Sequence, residues 1–574
     1  MIKKWYVKNQ PNQIEIERLK NELNIDETIS KLLIQKGIDS KEKAEKFFRP
    51  KLEDLHDPFE MKDMDLAVLK INETIRNHGK ILLFGDYDVD GTTAVALMYL
   101  SLFPYYENIS YYIPDRYAEG YGISKQGIDF ASENEFALII SLDCGIKSNE
   151  LIDYAKRKQL DFIICDHHQP GSSIPDCIVL DPKRSDCLYP FKELSGCGVG
   201  FKLMQALYSI NNWDNSNLFA NIDLVAISIG ADIVPVVGEN RILAKFGLKK
   251  LNEKPRTAFK ELIELSGKKF PLSLTDVVFT IAPRINAAGR LRSGKFAVQL
   301  MISTNHDEMI QIAEAINTDN QNRKAIDQQI TEEALKQIEN NPNFPSKKST
   351  VVYQENWHKG VVGIVASRLI EKHYRPTIVL TKSNEVITGS ARSIANFNLY
   401  ETLDACSHLL EQFGGHEHAA GLTMKEEKLE EFIDTFEIEV QKRINSDNHL
   451  PIQEIDLEMN FNDLFHPNEN RMKIPRLKKI LDYFEPHGPG NMSPVFISTN
   501  VFTKNIRILK DAHLKLTVTQ PHNDVAIEAI GFNLADKEML VAMGIPFEMA
   551  FTLETNSFRE RETLQLNIKD IREN

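Results

Sequence analysis

The amino-acid sequence predicts a multidomain α/β protein: a mostly parallel sheet, a long connector helix, a second α/β unit and a C-terminal β-barrel. Three patterns carry this prediction. From residue 80 short apolar runs alternate with helix-favouring stretches. The span from Asn305 to Asn340 holds neither Gly nor Pro, and after about residue 490 apolar and polar residues alternate strictly.

The chain has 574 residues, too many for one core, and at roughly 150 residues per domain three or four units are expected. A hydrophobic content of 42% with 26% charged residues excludes a largely disordered chain. No apolar run approaches the roughly 18 residues of a membrane helix, so no membrane partner is expected. The start, Met1 to Lys8, has basic residues but no apolar stretch of the kind a secretory signal needs. Six cysteines without a CxxC pair favour reduced thiols and a cytoplasmic protein. With 68 basic against 82 acidic residues the net charge is −14, which argues against indiscriminate polyanion binding but allows a local basic groove.

Residues 1–70, polar and helix-favouring with Phe47, Phe48 and Phe59, read as a helical lead-in. The run Ile81-Leu82-Leu83-Phe84 predicts a buried strand ended by Gly85, followed by a helix over Thr92–Leu102. Ala137–Leu142, Phe162–Cys165 and Leu224–Ile227 are further strand candidates of this first unit, 71–305. In the connector, 306–345, Met309, Ile312, Ala313 and Ile316, then Ile326, Ile330, Ala334 and Ile338, step by three or four. That pattern predicts one long amphipathic helix or two abutting ones, stopped near Pro342 and Pro345. Strands around Thr350–Tyr353 and Thr377–Leu380 belong to the second unit, 346–447. The alternations Leu514, Leu516, Val518, then Phe547, Met549, Phe551, Leu553, then Leu564, Leu566, Ile568 predict the barrel, 448–574.

The chemistry gathers at the strand ends. The first strand runs into Asp86-Tyr87-Asp88-Val89-Asp90-Gly91, and three like charges so close together call for a cation among them. Gly91 is expected to turn the chain into a helix whose N-terminal amides could face a phosphate. A calcium loop of the EF-hand kind shares D-x-D-x-D-G but follows a helix and needs a Glu where this chain has Leu97. A solvated acidic turn is the remaining alternative for this motif taken alone. The other strand candidates lead to Asp143, to Asp166-His167-His168 and to Asp232. Carboxyl ends of parallel strands share one crevice, so Asp88, Asp90, Asp143, His167, His168 and Asp232 should meet there. Oxygen ligands with one or two imidazoles suit Mn²⁺ or Mg²⁺. Cys144 and Cys165 read as packing residues.

These motifs resemble the DHH phosphoesterase superfamily. The resemblance spans roughly residues 70 to 574 and rests on the Asp166-His167-His168 triplet, on 85–91, and on Ala231-Asp232-Ile233-Val234-Pro235. It rests equally on 283–290 (Pro283 to Arg290), 357–365 (Trp357 to Val365) and 414–421 (Gly414 to Gly421). It implies a DHH domain, a DHH-associated domain and an OB-fold barrel. It implies two divalent ions, Mn²⁺ or Mg²⁺, held by Asp88, Asp90, Asp143, His167 and Asp232, with Asp143 as bridge. Asp86 and Asp166 would orient the ligands, and His168 would act as a phosphate contact or a further ligand. Pyrophosphatase-like members carry a His four residues before the first ligand Asp; this chain has Phe84 there. The chemistry implied is two-metal hydrolysis of a phosphodiester, the ions roughly 4 Å apart.

Within the superfamily the chain is similar to the branch of single-strand-specific 5′→3′ DNA exonucleases of recombination and repair. That likeness implies a 5′-phosphate pocket of Arg116, Ser390 and Arg392. It implies DNA contacts by Arg284, Asn286, Arg290, Gly414, Gly415 and His416. It also implies single-stranded DNA as substrate, work beside a helicase and single-strand-binding protein, and a monomer. Lys504, Arg507, Lys510, His513 and Lys515 are the barrel's cationic candidates. Two other readings fit parts of the chain: a phosphodiesterase of short oligonucleotides or cyclic dinucleotides, and an inactive replication scaffold. The terminal barrel counts against the first, and the filled ligand positions count against the second.

Overall fold

The computed structural model describes residues 2–574 apart from 384, 445–449, 466–468, 470–473, 522–524 and 559–560. The polar N-terminal stretch forms the helices Gln13–Leu23, Glu27–Gln35 and Lys41–Phe48, as its composition suggests. It opens with a short strand, β1 (Lys4–Val7), which pairs in parallel with Ile452–Ile455, far along the chain. Leu19, Ile29, Leu32, Leu33 and Ala44 of these helices share one apolar core with the C-terminal barrel.

The first α/β unit is built on β2 (Lys80–Gly85), β3 (Ile109–Tyr112), β4 (Phe136–Leu142), β5 (Asp161–Cys165) and β6 (Ile178–Leu180). All pairings are parallel, in the order β3-β2-β4-β5-β6. Ile81, Leu83, Ile140 and Ile163 enter the main core, whereas Leu82, Phe84, Ile139 and Ile164 enter a second cluster. Burial on both faces is why the strands read as continuous apolar runs.

One strand candidate is corrected. Leu224–Ile227 lies inside a helix, Ile222–Ala231, in which every residue from Ile222 to Gly230 is buried. A helix buried all round loses its amphipathic stripe, and a four-residue apolar window then looks the same as a buried strand.

His306–Glu339 is a single helix of 34 residues. Met309, Ile312, Ala313 and Ile316 join the first unit's core, while Ile330, Ala334 and Ile338 pack with Trp357, Val362, Val365 and Leu369 of the second unit. That unit holds β7 (Thr350–Tyr353), β8 (Thr377–Ser383), β9 (Val386–Arg392), β10 (Gln412–His416) and β11 (Ala419–Met424), in the order β10-β11-β9-β8-β7. The boundary expected at 447/448 lies outside the described residues.

The remaining strands are β12 (Ile452–Ile455), β13 (Leu457–Glu458), β14 (Phe496–Leu509), β15 (His513–Thr519), β16 (Ile527–Gly531), β17 (Phe547–Phe558) and β18 (Arg561–Glu573). The order β14-β15-β16-β18-β17 closes through pairing of β17 with β14. The alternating residues Leu514, Leu516, Val518, Met549, Phe551, Leu566 and Ile568 fill its interior, as period two requires.

Candidate active site

The chain leaves β2 through Asp86 and enters the helix Val89–Leu102, which Asp88 caps by accepting from the Gly91 amide at 3.1 Å. Gly91 therefore lies in the first helical turn rather than before it. A Cβ there would come within 2.5 Å of the Asp86 carbonyl oxygen, so close approach is what excludes a side chain. Asp90 faces inward and accepts from the amides of Gly196 (2.7 Å) and Cys197 (2.7 Å) and from the Ser228 hydroxyl (2.6 Å). The two amides open the helix Gly196–Asn211, whose N-terminal dipole favours a carboxylate.

Asp143 follows β4 with φ of 63°, a left-handed conformation that costs a non-glycine residue roughly 1 kcal/mol or more. Gly196 packs so tightly on it that a Cβ would sit 2.6 Å from the Asp143 Cβ. Asp166, fully buried after β5, accepts from the amides of Ile146, His167 and His168 and lies 2.7 Å from His168 Nδ1. His168 Nε2 then meets the Tyr121 hydroxyl at 3.1 Å. Asp232 caps the C-terminus of Ile222–Ala231 rather than a strand. Three strand ends and one helix end thus converge.

His167 Nε2 lies 3.2 Å from Asp143, 3.4 Å from Asp232 and 3.7 Å from Asp90. Three overlapping groups have their donor atoms within 4.8 Å of one another: Asp86, Asp88 and Asp143; Asp143, His167 and His168; Asp90, His167 and Asp232. Asp86, expected only to orient the ligands, therefore stands among the candidate donors themselves. Asp86 Oδ2, Asp143 Oδ1 and both ring nitrogens of His167 are buried without a hydrogen-bond partner among the described residues, a cost that folded proteins rarely leave standing.

Burial, and then the charges of Asp90 and Asp88, pushes Asp143 and Asp232 well above the usual carboxylate range. Burial and Asp88 do the same to Asp86, and burial and Asp90 raise Asp88. Burial lowers His167 despite Asp90. Asp166 moves the other way: burial opposes its charge, but the hydrogen bond to His168, the charges of His168 and His167 and the Ile146 amide together outweigh burial and hold it below the ordinary range. Burial opposes the charge of His168 as well, and the same bond together with the charges of Asp166, Asp232 and Asp90 overcomes it and lifts the imidazole to about 9. A cluster of carboxylates that oppose one another's charge, with orphaned oxygen and imidazole donors, fits divalent cations of the Mn²⁺ or Mg²⁺ kind. Cys144 and Cys165 pack in the apolar clusters on opposite faces of the sheet.

The expected DNA-facing residues fall on the two α/β units. Arg392 donates to Ser390 Oγ at 2.8 Å on β9, and Arg116 stacks over the Tyr87 ring at 4.9 Å. Burial lowers Arg392 and Arg290, the latter to about 10, and in each the charge of Arg116 adds to the effect. Arg290 also donates to the Gly360 carbonyl of the second unit at 2.7 Å. Gly414, Gly415 and His416 lie exposed on the edge strand β10, Gly415 with φ of 148°. β10 lies two strands from Ser390 and Arg392, across β11. Asn286 is half-buried on the helix Ala282–Leu291. Arg284 is drawn elsewhere: it is buried, and its guanidinium binds Thr280 O and Asn317 Oδ1. The sequence reading missed Tyr121, Ser228 and the Gly196–Cys197 amides. The glycine-rich run Ser195-Gly196-Cys197-Gly198-Val199-Gly200 was the available signal for the last of these.

Residues 80–229 match the model of the DHH family, N-terminal domain, residues 346–442 that of the DHHA1 domain, and residues 455–570 that of the RecJ OB domain. The chain is 35% identical to the single-stranded-DNA-specific exonuclease RecJ of Bacillus subtilis, over 99% of this chain and 70% of that protein. It is 32% identical to the protein of the same name from Salmonella typhimurium, over 89% of this chain and 90% of that one. The fold resembles the crystal structure of RecJ in complex with Mn²⁺ from Thermus thermophilus, with a TM-score of 0.84. That match is at 24% identity and covers 99% of this chain and 79% of the other.

Proposed function

The chain belongs to the RecJ family of single-stranded-DNA-specific exonucleases, and from that premise we propose that it hydrolyses single-stranded DNA stepwise from the 5′ end. The observation that carries the reading is the convergence of Asp88, Asp90, Asp143, His167 and Asp232 around buried donors that lack a hydrogen-bond partner among the described residues. These residues would hold two divalent ions, Mn²⁺ or Mg²⁺. When bound, the ions supply a water nucleophile at neutral pH and neutralise charge on the phosphoryl and leaving oxygens.

The protein's own groups do the rest. Gly196, Cys197 and Ser228 hold both oxygens of Asp90 in place, and Asp166 fixes the His168 ring. His168 Nε2, beside Tyr121, then serves as a phosphate contact or a further ligand. Arg116 and Arg392 have no ion-pair partner among the described residues, which suits a terminal phosphate dianion, with Ser390 as an additional hydrogen-bond donor. Such a pocket at one end of the cleft fixes polarity. Asn286, Arg290, Gly414, Gly415 and His416 would follow the strand away from it. We assign the enzyme to DNA recombination and repair, in the cytoplasm, as a monomer working with a helicase and single-strand-binding protein.

The test is Mn²⁺-dependent digestion of 3′-labelled single-stranded DNA, with and without a 5′ phosphate, beside Asp143→Ala. Stepwise shortening from the 5′ end that vanishes in the variant is expected. An inert long strand alongside cleavage of dinucleotides would replace this reading with that of a small-substrate phosphodiesterase.

A further inference from the structure

The loop that carries Asp232 is not held by the first unit alone. Between the helices Ile222–Ala231 and Gly238–Glu253 the chain passes through Ile233, whose φ is 60° although it is β-branched, and reaches Val236, which is fully buried. The Val236 amide donates to the carbonyl of Pro489 at 2.7 Å. Pro489 belongs to a turn of the C-terminal module, closed by Gly488 and Asn491 bonding each other's backbone. Both glycines of this turn press on the loop. A Cβ on Gly488 would lie 2.4 Å from Val236 Cγ2, and one on Gly490, whose φ is 72°, would lie 3.1 Å from Val237 Cγ1. Asn491, almost wholly buried, ties the turn down by donating to the carbonyls of Phe484 and Pro486 at 2.8 and 2.9 Å.

A left-handed β-branched residue next to Asp232 needs surroundings that over-determine it. The turn anchors the far end of that loop, at Val236 and Val237, from more than 250 residues away in sequence. We propose that the Gly488–Asn491 turn is a positioning element of the metal centre: it sets the loop that presents Asp232, and so couples docking of the C-terminal module to metal affinity. The inference rests on the metal-dependent reading above. Outer contacts that orient ligands typically change affinity 10–100-fold when broken.

The experiment measures Mn²⁺ binding to the full, metal-stripped chain by the electron-paramagnetic-resonance signal of free Mn²⁺. Gly488→Ala should weaken at least one Mn²⁺ site by about tenfold or more. Trimming the opposing methyls, in Gly488→Ala with Val236→Ala, should recover most of that loss, which nonspecific damage to the fold would not allow. Asn491→Ala, which loosens the turn without adding an atom, should weaken the same site and stands in if Gly488→Ala fails to fold. As a control, Gly544→Ala lies on another C-terminal glycine of positive φ with open space around it and should leave Mn²⁺ binding unchanged. Folded Gly488→Ala and Asn491→Ala that both bind Mn²⁺ as the parent chain does would overturn the coupling while leaving the nuclease reading intact. A parent chain that binds no Mn²⁺ would overturn the metal reading itself.

Discussion

Asp143 concentrates the energetic conflict of the site in one residue. Its backbone is left-handed, Gly196 presses on its Cβ, and its buried Oδ1 has no hydrogen-bond partner among the described residues. Burial and the neighbouring Asp90 and Asp88 oppose its charge. Asp143→Asn removes that charge at nearly constant shape. Thermal melts in chelator should therefore show the variant as more stable than the parent, and added Mn²⁺ should stabilise only the parent. Hydrolysis should fall by more than the 10–100-fold typical of a lost outer contact. Arg392 is the second residue to test. A hydrogen bond to a charged group contributes about 1.5–3 kcal/mol, so Arg392→Ala should lower the preference for a 5′-phosphorylated over a 5′-hydroxyl strand by roughly 10–100-fold, read from paired digestions. Equal loss on both strands would remove the residue from the terminal-phosphate pocket.

Among the elements, the segment that leads into the 488–491 turn contributes a pH-sensitive group, His487. His487 is pushed down to about 4 by burial, and the charges of Lys36, Lys478 and Arg241 act in the same direction. The ring is neutral in the folded state, whereas in the unfolded chain it takes up a proton near the ordinary value of about 6.5. The unfolded state thus binds more protons between those two values, and stability contributed by this group is lost as pH falls from about 6.5 to about 4. His487→Phe keeps the ring volume without the proton. Urea midpoints across that range should fall less steeply with acid in the variant than in the parent; parallel slopes would show that other groups set the acid limb.

At the scale of the whole molecule, Arg241 joins three parts. From the helix Gly238–Glu253 its guanidinium lies 3.9 Å over the Phe47 ring of the N-terminal helices and donates to the carbonyls of Tyr483, Phe484 and Glu485. Burial lowers its pKa to about 10. Because the N-terminal helices and the barrel share one core, this side chain ties that combined body to the catalytic unit. Arg241→Met keeps most of the stem and removes the donors. It should lower the stability of the full chain by about 1–3 kcal/mol, measured by urea unfolding, and an unchanged midpoint would show that the rest of the interface suffices.

The sequence by itself determined whatever is written in local order. Apolar runs on β2, β4 and β5, the helix free of Gly and Pro, and the period-two strands of the barrel follow from neighbours a few residues apart. The gathering of Asp88, Asp90, Asp143 and His167 was legible too, since parallel strands deliver their ends to one edge, whereas Asp232 arrives from a helix end that the strand argument did not foresee. Only the tertiary structure decided that 224–227 is helical, that Asp90 is held by Gly196, Cys197 and Ser228, and that Arg284 turns to Asn317. It alone paired β1 with β12 and set the 488–491 turn against the Asp232 loop. These are contacts between segments remote in the chain. They are fixed by packing and by the need to satisfy buried polar groups, neither of which leaves a periodic trace in sequence.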